Sequence, residues 1–371
     1  VKAAVAAYEA EPSDANLLRL QEAVDSPRQE FFRRLNMAPG ATAQIVQMRK
    51  ELLDFIREEP SLQPIDRDLF HLLQSWFNRG FLVLRRIDWQ TPASILEKII
   101  EYEAVHEIDG WDDLRRRLNP ADRRCFGFFH PSLIDEPLIF VEVALTDHVA
   151  EDIQSLLAPA APLKAGDGPL PTTAVFYSIS NCQDGLRGVS FGNFLIKQVV
   201  DELKKEFDSL KTFVTLSPVP RFAGWLEAVR KGEMSNGLDL SGAERAVLRR
   251  LDEPLWWEQR EEDEELRDLV MALAAHYFLD AKGPTGRPVD PVARFHLGNG
   301  ARLEKINWLA DTSIRGLKQS HGLMVNYLYD PREIEANHEA FANLGQIAAS
   351  RQVRNLERTR GRRGVKTQTT S

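Results

Sequence analysis

Cysteine is scarce, with only Cys125 and Cys182 in 371 residues. Two cysteines so far apart cannot frame a disulfide scaffold and lack the paired spacing of a zinc or iron–sulfur site, so a reducing compartment is expected. Long apolar runs are missing too. Charges interrupt even residues 81–87 and 137–145, and nothing approaches the roughly 20 apolar residues of a membrane-spanning helix. There is no excess of positive charge: 47 Lys and Arg stand against 55 Asp and Glu, a net charge of −8. This excludes a wholly basic surface for nucleic acid or anionic lipid. The chain opens on Val1 without a secretory leader or Met, so upstream residues are expected, and it ends in Thr369, Thr370 and Ser371 rather than a peroxisomal Ser-Lys-Leu. A soluble, cytoplasmic protein with no nucleic-acid or membrane partner is expected.

What is present is ordinary globular composition, 43% hydrophobic and 27% charged, in a length that suits two or three domains. Residues 1–78 follow a helical pattern. Ile45, Met48, Leu52 and Ile56 share a face that Pro60 ends, and a further helix from Asp66 carries the stripe Leu69, Phe70, Leu72, Leu73, Trp76 and Phe77, with Gly80 as its C′ residue. Beyond it the texture changes to a strand at 81–87, a helix opened by Thr91 as N-cap and Pro92 as N1, and an antiparallel pair at 125–130 and 138–145. A loop rich in Ala, Pro and Gly at 159–171 precedes a strand at 173–180, a helix at 190–207, a strand at 211–216 and a helix after Pro220. An acidic, Trp-bearing stretch leads into apolar 269–278, and strands near 301–308 and 322–329 flank a short helix. The expected class is α+β: a helical bundle at 1–78, a mixed sheet flanked by helices at 79–350, and a basic, mobile tail at 351–371.

Residues 176–200 read FYSISNCQDGLRGVSFGNFLIKQVV, a strand passing through a Gly-bearing turn into an amphipathic helix. Backbone N–H groups at such a helix start can hold a pyrophosphate, Gly185, Gly188 and Gly192 permit close approach, and Arg187 can add a charge-assisted bond. The Walker ending and the GxGxxG spacing are both missing, which disfavours ATP and NAD. A tight strand-to-helix turn explains the same residues equally well. Taken alone, Ser217 reads as a turn or N-cap serine, His296 as a loop or strand-end histidine, and Tyr329 as a sheet-edge ring. His71, His106, His130, His148, His276, His321 and His338 show no HExxH or other metal spacing, so no metal site is expected. His321 stands out only because it opens the segment leading to Tyr329.

The stretch RGVSFG at 187–192 resembles the acyl-CoA-binding loop of the GNAT acyltransferase superfamily, Gln/Arg-x-x-Gly-x-Gly/Ala, with Ser190 where the middle glycine usually stands. With TLSPVPRFAGWL at 215–226, ARFHLGNGARLEKINWLAD at 293–311, HGLMVNYLYD at 321–330 and WFNRGFLVLRRIDWQTPASILEKI at 76–99, the chain closely resembles the malonyl-CoA decarboxylase family over most of its length beyond Trp76.

That resemblance implies an N-terminal helical domain used in oligomerisation, giving a homo-oligomer (dimer or tetramer), and a GNAT-like domain that converts malonyl-CoA to acetyl-CoA and carbon dioxide in fatty-acid or malonate metabolism. It implies no metal or organic cofactor, the CoA thioester being the substrate. By motif position Ser217 and His296 match the family's catalytic serine and histidine, and Tyr329 its active-site tyrosine. Ser178 lies in the matching active-site strand, and Gln183, Gly185, Arg187, Gly188, Ser190 and Gly192 form the CoA loop. Some relatives carry a glutamate at the place of Ser190, so Ser190 receives no carboxylate role here.

The chemistry requires an enolate oxygen to be stabilised and its carbon protonated. An imidazole titrating near neutrality suits His296 as proton donor, with Ser217 orienting the carboxylate or joining a relay and Tyr329 in support. No Gly-x-Ser-x-Gly elbow surrounds Ser217, so a covalent step is not required. A CoA-dependent acyltransferase would use the same loop, and a catalytically silent acyl-CoA scaffold would keep the loop and the helices while making Ser217 and His296 dispensable.

Overall fold

Five helices come first: α1 (Lys2–Ala10), α2 (Asp14–Val24), α3 (Pro27–Leu35), α4 (Ala41–Phe55) and α5 (Gln63–Trp76). The computed structural model describes residues 1–24, 26–158, 170–189, 191, 195–233, 238–259, 263–284 and 286–357, with the backbone alone at 79. Ser190, Gly192, most of the expected 159–171 loop and the tail beyond 357 lie outside the described residues. Two compact units emerge, and they are not consecutive in sequence. The first joins Val1–Arg85 to Phe128–Ile139 and Asn181–Gly192, and the second comprises Arg86–Gly127, Phe140–Ser180 and Asn193–Ser371.

Within the first unit, polar residues tie the helices together. Asp68 on α5 is buried and accepts from Ser26 Oγ, Arg28 Nε and Gln29 Nε2 at the start of α3, at 3.1, 2.7 and 2.9 Å. Arg49, buried on α4, pairs with Asp66 at 2.8 Å and donates to the carbonyls of Gly185 (2.7 Å) and Arg187 (3.1 Å). The expected C′ role of Gly80 is corrected. α5 stops at Trp76 with Phe77 as its cap, and Gly80 gives its N–H to the Asn78 side chain in the next turn.

The chain continues through β1 (Val83–Ile87), α6 (Ala93–Tyr102), α7 (Gly110–Leu118), β2 (Arg123–His130), β3 (Leu133–Thr146), α8 (Ile153–Leu157), β4 (Thr173–Asn181), α9 (Leu195–Glu206), β5 (Thr212–Thr215) and β6 (Ser217–Pro218). Then follow α10 (Phe222–Lys231), α11 (Gly242–Leu248), α12 (Glu264–Leu279), α13 (Pro291–Gly298), β7 (Arg302–Asn307), α14 (Ile314–Ser320), β8 (Met324–Leu328) and α15 (Ile334–Leu344). The strands pair in the order β1, β2, β3, β4, β5, β8, β6, with β7 also on β8. β4 and β5 run parallel while β5, β6 and β7 meet β8 antiparallel, so the sheet is mixed and the α+β expectation holds.

Two expectations are corrected here. Thr91 caps no helix; α6 begins at Ala93, and the Thr91 hydroxyl instead accepts the N–H of Asp88 at 3.0 Å, closing a turn. The tail expected from Arg351 starts as a helix at 351–357, with Val353 fully buried.

The site depends on how β4 and β5 part. Their register ends at Phe176 opposite Thr215, with the Leu216 N–H on the Phe176 carbonyl at 2.9 Å. Ser217 and Pro218 then pair with β8, opposite Val325 and Met324. Strand alternation sends Val175, Tyr177, Val214, Leu216 and Met324 into one apolar cluster, and leaves Phe176, Ser178, Thr215 and Ser217 on the opposite face.

Candidate active site

α13 carries His296, and both of its ends are fixed. At the start, Asp290 Oδ1 accepts the N–H groups of Val292 and Ala293, each at 2.9 Å, with Pro291 in the first turn. The second Asp290 oxygen accepts the Tyr277 hydroxyl of α12 at 3.2 Å. At the far end Gly300 stands at φ +81°, where an added Cβ would lie 2.1 Å from the Ile334 carbonyl oxygen, so only glycine fits. His296 thus stands on the last turn of a short capped helix, Pro291–Gly298, and is neither a loop nor a strand-end residue.

Ser217, His296 and Tyr329 come together. His296 Nε2 lies 3.0 Å from Ser217 Oγ, and its Nδ1 lies 2.8 Å from the Tyr329 hydroxyl. Ser217 Oγ also reaches Thr215 Oγ1 at 2.8 Å. Four side chains therefore form one hydrogen-bonded row, Thr215–Ser217–His296–Tyr329. The Tyr327 ring stacks on the imidazole at 4.5 Å and 22°, and Asn326 holds the Thr215 carbonyl at 2.8 Å. All three are buried, Ser217 at 5%, His296 at 2% and Tyr329 at 1% exposure.

Burial pushes His296 down to about 3, which corrects the expectation of an imidazole titrating near neutrality. Burial also raises Tyr329, whose phenol stays protonated. With a neutral ring, Tyr329 O–H can donate to Nδ1, Nε2–H to Ser217, and Ser217 O–H to Thr215; the opposite setting has Ser217 donating to Nε2 and Nδ1–H to Tyr329. The two settings are the two tautomers of the neutral ring, with the hydroxyls turned to match.

Ser178 belongs to a second polar group in the same unit. Its Oγ lies 2.8 Å from both carboxylate oxygens of Glu103 and 3.3 Å from Ser180 Oγ. Sequence reasoning missed Glu103, Thr215 and Tyr327. Thr215 was findable, since it sits two residues before Ser217 on the same strand face and Tyr327 bears the same relation to Tyr329. Glu103 carried no signal.

The CoA-loop residues fall within the first unit. Gln183 Nε2 donates to the Pro137 carbonyl at 3.3 Å and Glu136 at 3.4 Å. A Cβ on Gly185 would stand 1.9 Å from the Val46 carbonyl oxygen, so packing on α4 already requires glycine there, and Gly188 adopts φ +83°. Arg187 is 61% exposed and pairs with Asp184 at 3.1 Å.

Elsewhere in the second unit, a cavity of about 860 Å³ is lined by Pro220, Arg221, Trp225, Arg315 and Lys318 among others. Among the described residues, His276, Asp280 and Glu357 bring three possible metal-ligand atoms within 4.8 Å of one another; the pairs at 3.5 Å are those of an ion-pair cluster at the end of α12. No described helix is long and apolar enough to cross a membrane.

Two family models match the chain: the malonyl-CoA decarboxylase N-terminal domain over residues 1–77 and the C-terminal domain over residues 80–367. A mitochondrial malonyl-CoA decarboxylase of Anser anser anser is 36% identical over 94% of this chain and 73% of that protein. The Rattus norvegicus counterpart is 36% identical over 91% and 72%. The crystal structure of malonyl-CoA decarboxylase from Rhodopseudomonas palustris superposes with a TM-score of 0.90 at 57% identity, covering 95% of this chain and 85% of that one. That from Agrobacterium vitis gives 0.89 at 53% identity, over 96% and 86%. The chain belongs to the malonyl-CoA decarboxylase family.

Proposed function

We propose that this chain removes the free carboxylate of malonyl-CoA as carbon dioxide and returns acetyl-CoA. The observation that carries the reading is the unbroken row Ser217–His296–Tyr329 in a member of this family. When the bond between the α-carbon and the carboxylate breaks, its electron pair moves into the thioester carbonyl and an enolate forms. The carbonyl is its own electron sink, so we assign no metal and no organic cofactor. The enolate oxygen needs a donor and its carbon needs a proton.

An uncharged donor, the Ser217 O–H, serves both needs, first as a bond to the enolate oxygen and then as the proton for its carbon, because an enolate carbon is basic enough to take a proton from an uncharged O–H. Ser217 is placed to give its proton to carbon; His296 Nε2–H refills it as Nδ1 takes the proton of the Tyr329 hydroxyl, and the phenol regains one from solvent. One proton per turnover enters from solvent, since carbon dioxide leaves without one. Low dielectric around the row strengthens each of these bonds relative to water.

We assign the CoA pyrophosphate to the loop of Gln183, Gly185, Arg187 and Gly188 with Ser190 and Gly192, supported by the exposed Arg187 guanidinium. Residues 79–350 carry the catalytic region. Helices at 1–78 serve self-association into a dimer or tetramer; Phe31, Met37 and Phe55 expose 61, 83 and 59% of their surface, and solution mass tests it. Cys125 and Cys182, both buried and not joined in a disulfide, suit a cytoplasmic location.

The test is mass spectrometry of purified protein with malonyl-CoA and no added metal or amine. Acetyl-CoA and carbon dioxide are expected, and His296→Asn should cut their formation by about 100-fold or more. Malonyl-CoA that binds and stays intact overturns the reading.

A further inference from the structure

Glu103 closes α6, where an acidic side chain faces the negative end of the helix dipole, yet it is buried and fully engaged. Its Oε1 accepts the N–H groups of Val105 (2.7 Å) and His106 (2.8 Å). Ser178 Oγ lies 2.8 Å from both oxygens, and Ser180 Oγ lies 3.3 Å from Oε2 while accepting the Ala104 N–H at 3.2 Å. Ser178 therefore directs its proton at the carboxylate, while the Ser180 hydroxyl stands 3.3 Å from both Oε2 and Ser178 Oγ. A carboxylate accepts and cannot donate, so what Ser178 has left to offer is a lone pair.

We propose that Glu103 is a positioning residue for substrate binding: by claiming the proton of Ser178 it makes that hydroxyl, on the β4 side of the site, an acceptor for an amide N–H of the substrate's pantetheine arm. This rests on the decarboxylase reading. Alternation and register place Ser178 and Ser217 on the same sheet face, two residues beyond the last paired positions of β4 and β5. The division of labour follows from polarity. An acceptor surface backed by a carboxylate cannot stabilise a developing enolate oxygen, so that task falls to the Ser217 row. The neutral N–H donors that a CoA thioester carries near its reacting carbon are the pantetheine amides, and these are what Ser178 can receive.

Glu103→Gln separates this role from a structural one. Glutamine keeps an oxygen for the Val105 and His106 N–H groups but turns an NH2 toward the serines, reversing the direction of the Ser178 bond. In Glu103→Gln the KM for malonyl-CoA should rise, and the affinity for acetyl-CoA measured by calorimetry should fall, each about five- to tenfold, the worth of one hydrogen bond, with kcat far less changed. Ser178→Ala should weaken acetyl-CoA binding by the same factor, and the double variant should lose no more than either alone.

Wild-type affinity in Ser178→Ala overturns the proposal whether or not Glu103→Gln folds. Independent, additive losses overturn it too, as does a folded Glu103→Gln with unchanged KM and acetyl-CoA affinity. Calorimetry needs no turnover, so a wild-type protein that binds acetyl-CoA but leaves malonyl-CoA intact would fail the decarboxylase reading without failing this one.

Discussion

The row Thr215–Ser217–His296–Tyr329 and the loop from Gln183 to Gly188 are built on opposite plans. In the row, residues 79 and 33 positions apart meet within 3.0 Å, and no packing need accounts for a serine, a histidine and a tyrosine in series in a buried place. The loop is contiguous and looks like a motif, yet its residues are engaged locally: Gly185 by the Val46 carbonyl, Gln183 by Pro137, Arg187 by Asp184. Side-chain chemistry assembled across long separations is hard to explain by local folding. A contiguous glycine-bearing stretch can be demanded by the turn itself, so the row is the stronger evidence of function.

Breaking the row should therefore have the largest effect. His296→Asn should lower kcat by about 100-fold or more, the scale of a lost proton-transfer group, with KM within a few-fold. Equal loss of turnover and of CoA affinity would place His296 in binding instead. Tyr329→Phe removes the bond at Nδ1 while leaving the ring packed against Phe176, and a loss of about tenfold in kcat is expected from one buried hydrogen bond. Because His296 sits near 3, the kcat profile should show no limb at pH 6–7 that disappears in His296→Asn; such a limb would mean that the imidazole titrates in the working enzyme.

The loop is tested through packing. Gly185→Ala would drive a methyl group into the Val46 carbonyl, at a cost of about 1–3 kcal/mol for overpacking. A lower Tm is expected, with a raised KM for malonyl-CoA because the displaced loop is the one assigned to the pyrophosphate, and with kcat per folded molecule held. An unchanged Tm with raised KM would instead make Gly185 a ligand-facing glycine.

Buried titrating groups set the pH response of stability. Burial holds His106 and His321 at about 4 and His296 at about 3, while Glu142 rises to about 8 and Asp290 to about 6, again through burial. An imidazole that stays neutral when folded but is protonated when unfolded loses stability as pH falls below its unfolded value. A carboxyl protonated only when folded loses stability as pH rises toward its folded value. Three imidazoles outweigh two carboxyls on the acid side and Glu142 acts alone above neutrality, so Tm should peak at about pH 6.5. A Tm still climbing between pH 7 and 8 would overturn this assignment.

What could be read from the sequence divides along the same line as the two regions. The strand at 173–180, the later strands and the partners Ser217, His296 and Tyr329 were legible because apolar alternation and motif resemblance are properties of short stretches. Glu103 was not: between Tyr102 and Ala104 it looks like any surface acid, and its partners Ser178 and Ser180 lie 75 and 77 residues away. Thr91 misled because a hydroxyl before a proline satisfies a turn as readily as a helix start. The helix at 351–357 was hidden because a single buried residue, Val353, makes no periodicity. The low pKa of His296 depends on burial by residues from several elements, which no local window contains.

The smallest expected effect sharpens the comparison most. Arg187 is 61% exposed and its pair with Asp184 is a surface ion pair, of the kind that contributes from nothing to about 1 kcal/mol. Arg187→Ala should leave Tm unchanged, so any change in KM reports on ligand alone. If the guanidinium meets the CoA pyrophosphate, KM for malonyl-CoA should rise several-fold, the increase should shrink as salt is added, and kcat should hold, because the contact is equally present in ground and transition states. An unchanged KM at low salt would leave the loop with its packing role only and would move the phosphate site elsewhere in the molecule.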